Sequence, residues 1–137
     1  LNPEVSFLGK NIPMIALRDS PAWHRALDLS ISIHRIIKQF PPQAKQRDEG
    51  LSSRLLHAAV RVGHGLADSF DLASYNQYDM LRLARYHLSE TEFLLDCSMY
   101  MGYVEEQEYG RIQEEMRQLR GLINREIHPI HGFDERA

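Results

Sequence analysis

The chain is short of the residues that announce most chemistries. Its single cysteine, Cys97, excludes an internal disulfide and fits a reducing compartment. Flanked by Leu95 and Met99, it is read as a buried small residue rather than a reactive thiol. No run of about 18 apolar residues occurs, so no membrane-spanning helix is expected. The N-terminus has no basic segment followed by an apolar one, and no signal peptide is expected, although the chain does not start with Met. No HExxH, CxxC or paired Glu-x-x-His motif is present. Gly63-x-Gly65 lies inside a helical pattern with no strand before it, which excludes a phosphate-cradling loop. Ser52, Ser53 and Ser89 lack the strand-to-helix elbow of a hydrolase nucleophile. Glu90 and Glu92 are two apart, on different sides of a helix, and form no acid–base pair. The chain is therefore read as non-enzymatic, with no cofactor and no metal.

One-signed charge is also missing. The net charge is −3, too small and of the wrong sign for a generic polyanion binder. It is unevenly spread, however. Residues 22–64 carry seven Lys/Arg against three Asp/Glu (+4), and residues 65–137 carry seven Arg against fourteen Asp/Glu (−7). The basic set Arg25, Arg35, Lys38, Lys45, Arg47, Arg54 and Arg61 is the nucleic-acid candidate. Several cations on one surface could hold phosphates, weakly for sequence because few aromatics stand among them. A solvated face pairing with acidic neighbours is the alternative. Seven histidines invite a metal reading, and His57, His64 and Asp68 fall at helical spacing. Ordinary polar histidines explain them without a ligand, as they do His128 and His131 near the C-terminus.

What is present is helical periodicity in 137 residues with a 43% apolar share, enough for one domain with a real core. The stretch 51–69 organises the rest. Leu51, Leu55, Ala58, Ala59, Val62 and Leu66 make one face. Ala59, Gly63 and Ala67, four apart, are small enough to admit a neighbouring backbone. Before it, Ser20-Pro21 caps and opens a helix over 21–40. That helix carries Trp23, Ala26, Leu27, Ile31, His34 and Ile37 as its stripe, with Leu29, Ile33 and Ile36 around the side. Apolar residues on more than one face suggest a contact between subunits. Trp23, Leu29, Ile33, Ile36, Ala59, Gly63 and Ala67 are accordingly the oligomer and close-packing candidates.

Pro41-Pro42 stops the first helix, and 43–50 reads as a polar connection. Ser74 with Gln77 makes a capping-box start for a third helix over 75–101, with Tyr78, Leu81, Ala84, Leu88, Thr91, Leu95 and Ser98 inward. Gly102 is placed to end it in the left-handed region. A fourth helix begins near Glu105 with Tyr109, Ile112, Met116, Leu119, Ile123 and Ile127 as its stripe, and Pro129 ends it. No strand pattern competes. The expected architecture is all-α, an up-down-up-down antiparallel four-helix bundle over 20–128, with an arm over 1–19 and a tail over 129–137. The arm is apolar enough to lie on its own subunit or a neighbour.

Trp23 and Ala26, Phe40-Pro41, Ala58-Ala59-Val60, Ser89-Glu90-Thr91-Glu92 and Met101-Gly102-Tyr103 occur in an order and spacing that agree with these helix boundaries. In them the chain resembles the four-helix-bundle family of the 23S rRNA intervening-sequence protein (S23), which includes or adjoins Avd, the accessory protein of diversity-generating retroelements. The resemblance implies a four-helix protomer that assembles into a ring-like homopentamer. The multi-faced apolar helices, the apolar arm and the missing catalytic set point to a scaffold that recruits a protein partner, and the lone cysteine to the cytoplasm. Avd-like members also bind nucleic acid and a reverse transcriptase through basic surface. This chain has Leu56-His57 where the family usually has a basic pair, and its acidic later helices weigh against nucleic acid.

Overall fold

The computed structural model describes residues 4–7, 10–47, 49–71 and 74–131. A two-stranded antiparallel hairpin comes first, β1 (Glu4–Phe7) and β2 (Lys10–Pro13), with Val5 opposite Ile12 and Phe7 opposite Lys10. A short helix, α1 (Met14–Asp19), follows and touches both α2 (Pro21–Lys38) and α4 (Glu49–Asp71). Between those two lies α3 (Pro42–Arg47). The chain then forms α5 (Ser74–Tyr100) and α6 (Glu106–His131). Two of these elements depart from the sequence reading. The arm pairs as strands where no strand pattern was expected, and part of the polar connection is helical. Pro42 suits a first helical position, and Ala44 is tucked into the core.

The four long helices form a helical bundle in which α2 packs on α4 and α6, and α5 packs on the same two. Their boundaries follow local chemistry. Ser20, in extended backbone, accepts the Trp23 N–H at 3.3 Å, and Pro21 follows in the first turn. Gly102 takes φ +80°, while the Gly102 and Tyr103 N–H groups close the end of α5 on the Met99 and Ser98 carbonyls. The Ser74 side chain of the expected capping box lies outside the described residues. Helix α6 continues to His131, two residues beyond Pro129. A proline in a final turn removes one N–H and need not end the helix at once.

The core is a single cluster. Leu55, Ala58, Ala59, Val62 and Leu66 of α4 meet Leu81, Ala84, Leu88 and Leu95 of α5 and Ile112, Met116, Leu119, Ile123 and Ile127 of α6. Helix α2 enters through Ala22, Ala26, Leu29, Ile33 and Ile36. This corrects the expected stripe: Leu29 is fully buried, whereas Leu27 is 45% exposed. Leu29, Ile33 and Ile36 therefore serve the protomer's own core and offer no surface to a neighbour. At one end, the Phe40 and Tyr103 rings meet with centroids 5.5 Å apart, over buried Val104.

The buried hydroxyls are satisfied. Thr91 and Ser98 donate to the carbonyls of His87 and Leu94 one turn back, at 2.8 and 2.9 Å. Ser69 donates to Leu66 O at 2.6 Å, and Ser32 reaches across to the Glu115 carboxylate at 3.0 Å.

Candidate interaction surfaces

Helix α5 is amphipathic twice over. While Leu81, Ala84, Leu88, Thr91, Leu95 and Ser98 point inward, Leu83, Tyr86, Phe93 and Tyr100 emerge on the other side. Tyr86, Phe93 and Tyr100 recur every seven residues, so they stack along one line of the helix. They are 62, 65 and 92% exposed, and Met101 extends the line. Glu90 and Cys97 fill the alternate positions of the same seam. Cys97 is half-buried and unpaired, not the core residue expected. The seven-residue spacing of this ridge is the signal the sequence carries for it, beneath the stronger inward stripe of the same helix.

A second uncovered apolar face lies between α2 and α4. Trp23, Leu27 and Ser30 from α2, with Val60, Gly63 and Ala67 from α4, line a groove of about 300 Å³. Ile31, one turn beyond Leu27, continues it. Gly63 opens this groove: a Cβ there would meet nothing within 4 Å. The close backbone approach expected at Gly63 occurs instead at Gly65, where a Cβ would lie 2.9 Å from Ala84 Cβ and 3.1 Å from the Ala84 backbone. Of the small-residue stripe, Ala59 is core, while Gly63 and Ala67 are groove. Among the described residues, every exposed large apolar side chain falls on the ridge or beside this groove.

The seven basic candidates are all exposed. They do not share one site. Arg25 turns toward α6, where it joins Arg117, Gln118, Gly121 and Arg125 around an open cleft of about 350 Å³. Arg35 and Lys38 end α2, Lys45 and Arg47 lie on α3, and Arg54 and Arg61 are seven apart on α4. In the cleft, Arg117 is already engaged by Glu114 at 2.5 and 2.9 Å, and this pairing holds the Glu114 carboxyl down to about 2. Gln118 donates to the same carboxylate at 3.0 Å, which leaves its Oε1 buried without a partner.

Elsewhere the ionic groups tie helices together. Arg120 of α6 reaches Glu92 and Ser89 of α5, and Arg85 donates to Asn124 at 2.8 Å. The Tyr109 hydroxyl donates to Asp96 at 2.6 Å, and that bond, with some burial, pushes the phenol up to about 12. Burial raises the carboxyls of Glu115 and Glu126 above the usual range, against the pull of the Ser32 and Ser20 hydroxyls respectively. His87 faces Glu90 at 3.1 Å, which separates Glu90 from Glu92 in role. Among the described residues, no three His, Cys, Asp or Glu side chains gather as metal ligands would. His57, His64 and Asp68 are all solvent-facing. No helix among the described residues is long and apolar enough to cross a membrane.

A family model described as the 23S rRNA-intervening sequence protein matches residues 18–125. That span covers the bundle except the last six residues of α6 and leaves the hairpin outside. Among solved structures, the chain is similar to a protein of unknown function from the S23 ribosomal protein family of Bacteroides thetaiotaomicron VPI-5482. The two share 15% identity with a TM-score of 0.67, over 77% of this chain and 94% of that one. At this identity the likeness concerns the fold. No curated protein matches the chain significantly.

Proposed function

The chain belongs to the 23S rRNA-intervening sequence protein family, and we propose that it acts as a non-enzymatic, oligomeric scaffold that recruits a protein partner in the cytoplasm. The observation that carries the assembly in this reading is the α5 ridge, a line of exposed aromatics on a helix whose other face already fills the core. Aromatic side chains in such numbers are uncommon on a surface that meets only water, and they are the residues that dominate interfaces. The working unit is the bundle of residues 20–128, with 1–19 and 129–137 as appendages.

Within that unit we take the helices to run up-down-up-down. Cross-helix contacts support the opposite sense of α6 to both α2 and α5: Ser20 acts on Glu126 while Ser32 meets Glu115, and Arg85 meets Asn124 while Asp96 meets Tyr109. As one number rises, its partner falls. The resemblance to S23 and Avd proteins suggests a ring of five. Light scattering on the intact chain at micromolar concentration tests the assembly. A multiple of the 15.9 kDa protomer is expected, and a monomer would overturn it.

A second reading, an accessory that binds RNA or DNA alongside a reverse transcriptase in the manner of Avd, draws on the exposure of all seven basic candidates. Repetition around an oligomer would multiply each cation. Filter binding across a salt series decides it: an affinity that falls steeply with salt supports it, and no binding at low salt removes it.

A further inference from the structure

We propose that the α5 ridge of one copy seats in the α2/α4 groove of the next, so that the subunits join head to tail. The inference rests on the assembly reading above and adds which surfaces meet. Three observations favour a second copy as the occupant.

The first is shape. One uncovered face is a row of projecting rings, and the other is a concavity that Gly63 and Ala67 keep open. Two unlike faces on one chain satisfy each other only between copies, and such heterologous contacts build rings or open filaments rather than symmetric dimers.

The second is charge. Arg54, Arg61 and Asp68 are exposed on α4, and Asp28, Arg35 and Lys38 on α2, while the groove lining itself is apolar apart from Ser30 and His64. Glu90, which faces His87, stands in the middle of the ridge, with Asp79 one turn before Leu83. Arg82, exposed on the same side, lies over the Tyr78 ring at 5.4 Å. The excess of cations on α2 and α4 then faces Asp79 and Glu90 of the ridge.

The third is extent. From Leu83 to Tyr100 the ridge runs about 26 Å along the helix, roughly five turns.

Complementation between two surface variants tests this. Phe93→Glu removes the ridge and Leu27→Glu spoils the groove. Both positions are exposed in the single subunit, so both variants should keep the helical circular dichroism of the wild type. Each alone is expected to lose self-association by about 100-fold or more. Mixed in equal amounts, they should form a heterodimer, because one copy still offers a groove and the other a ridge. If the Leu27→Glu chain stays assembled and the mixture forms no heterodimer, the ridge pairs with itself and the proposal falls. If both variants keep the wild-type mass, the interface lies elsewhere and the proposal falls. A wild type that is itself a monomer would instead overturn the assembly reading beneath it.

Discussion

Gly65 of α4 presses against Ala84 of α5 so closely that a Cβ on the glycine would come within 3.1 Å of the alanine's backbone nitrogen and Cα. Helix α5 can relieve such a contact only by moving its main chain. Gly65→Ala should therefore lose more by overpacking, about 1–3 kcal/mol, than the roughly 1 kcal/mol it gains in helix propensity. A lower melting temperature with unchanged helical content is the expected result. Gly63→Leu gives the contrast, since its side chain enters the open groove. It should keep the fold yet weaken assembly, which circular dichroism and light scattering measured together would separate.

This pair also shows what could be read from the sequence. Two glycines in one helix announce a close approach, but spacing alone favoured Gly63 because it shares a stripe with Ala59 and Ala67. Only the position of α5 shows that Gly65 bears the contact. Stripes were legible where a helix has one apolar side. The inward residues of α4 and α6 are those expected, and α6 keeps its run from Ile112 to Ile127. Helix α2 carries apolar residues on more than one face, and periodicity alone does not tell Leu27 from Leu29 on such a helix. On α5 the inward stripe dominates the pattern and masks the second line through Tyr86, Phe93 and Tyr100. The family resemblance rests partly on Phe40-Pro41 and Met101-Gly102-Tyr103, segments far apart in sequence whose rings meet at one end of the bundle.

Gly102→Ala isolates backbone strain. At φ +80° with nothing within 4 Å of its Cβ position, the substitution meets no clash and loses only the left-handed conformation. A destabilisation of about 1–2 kcal/mol is expected in denaturant unfolding, with the slope unchanged.

Glu126 offers a test by pH. Burial lifts its carboxyl in the folded chain, so the ionised form is less favourable folded than unfolded. The stability linked to protonating it is fully present below the unfolded value and is lost as pH rises through the higher folded value. Glu126→Gln should thus raise the melting temperature at pH 7. The gain should shrink to nothing below about pH 4, where both states of the wild type are protonated. An equal gain at both pH values would contradict the assignment.

The Tyr109–Asp96 bond should appear in a spectrophotometric titration. One tyrosine is expected to resist ionisation until about pH 12. In Asp96→Asn it should move back toward the ordinary value of about 10. The stability this bond confers is complete below the unfolded tyrosine's pKa and lost as pH climbs through the folded one.

The account turns on whether the outer side of α5 meets water. Hydroxyl-radical footprinting of the wild-type chain at working concentration measures that directly. Tyr86, Phe93 and Tyr100 should be modified several-fold more slowly than in the Phe93→Glu or Leu27→Glu background, the first without its position 93. Modification in the wild type at the rate their large single-subunit exposure demands would contradict it.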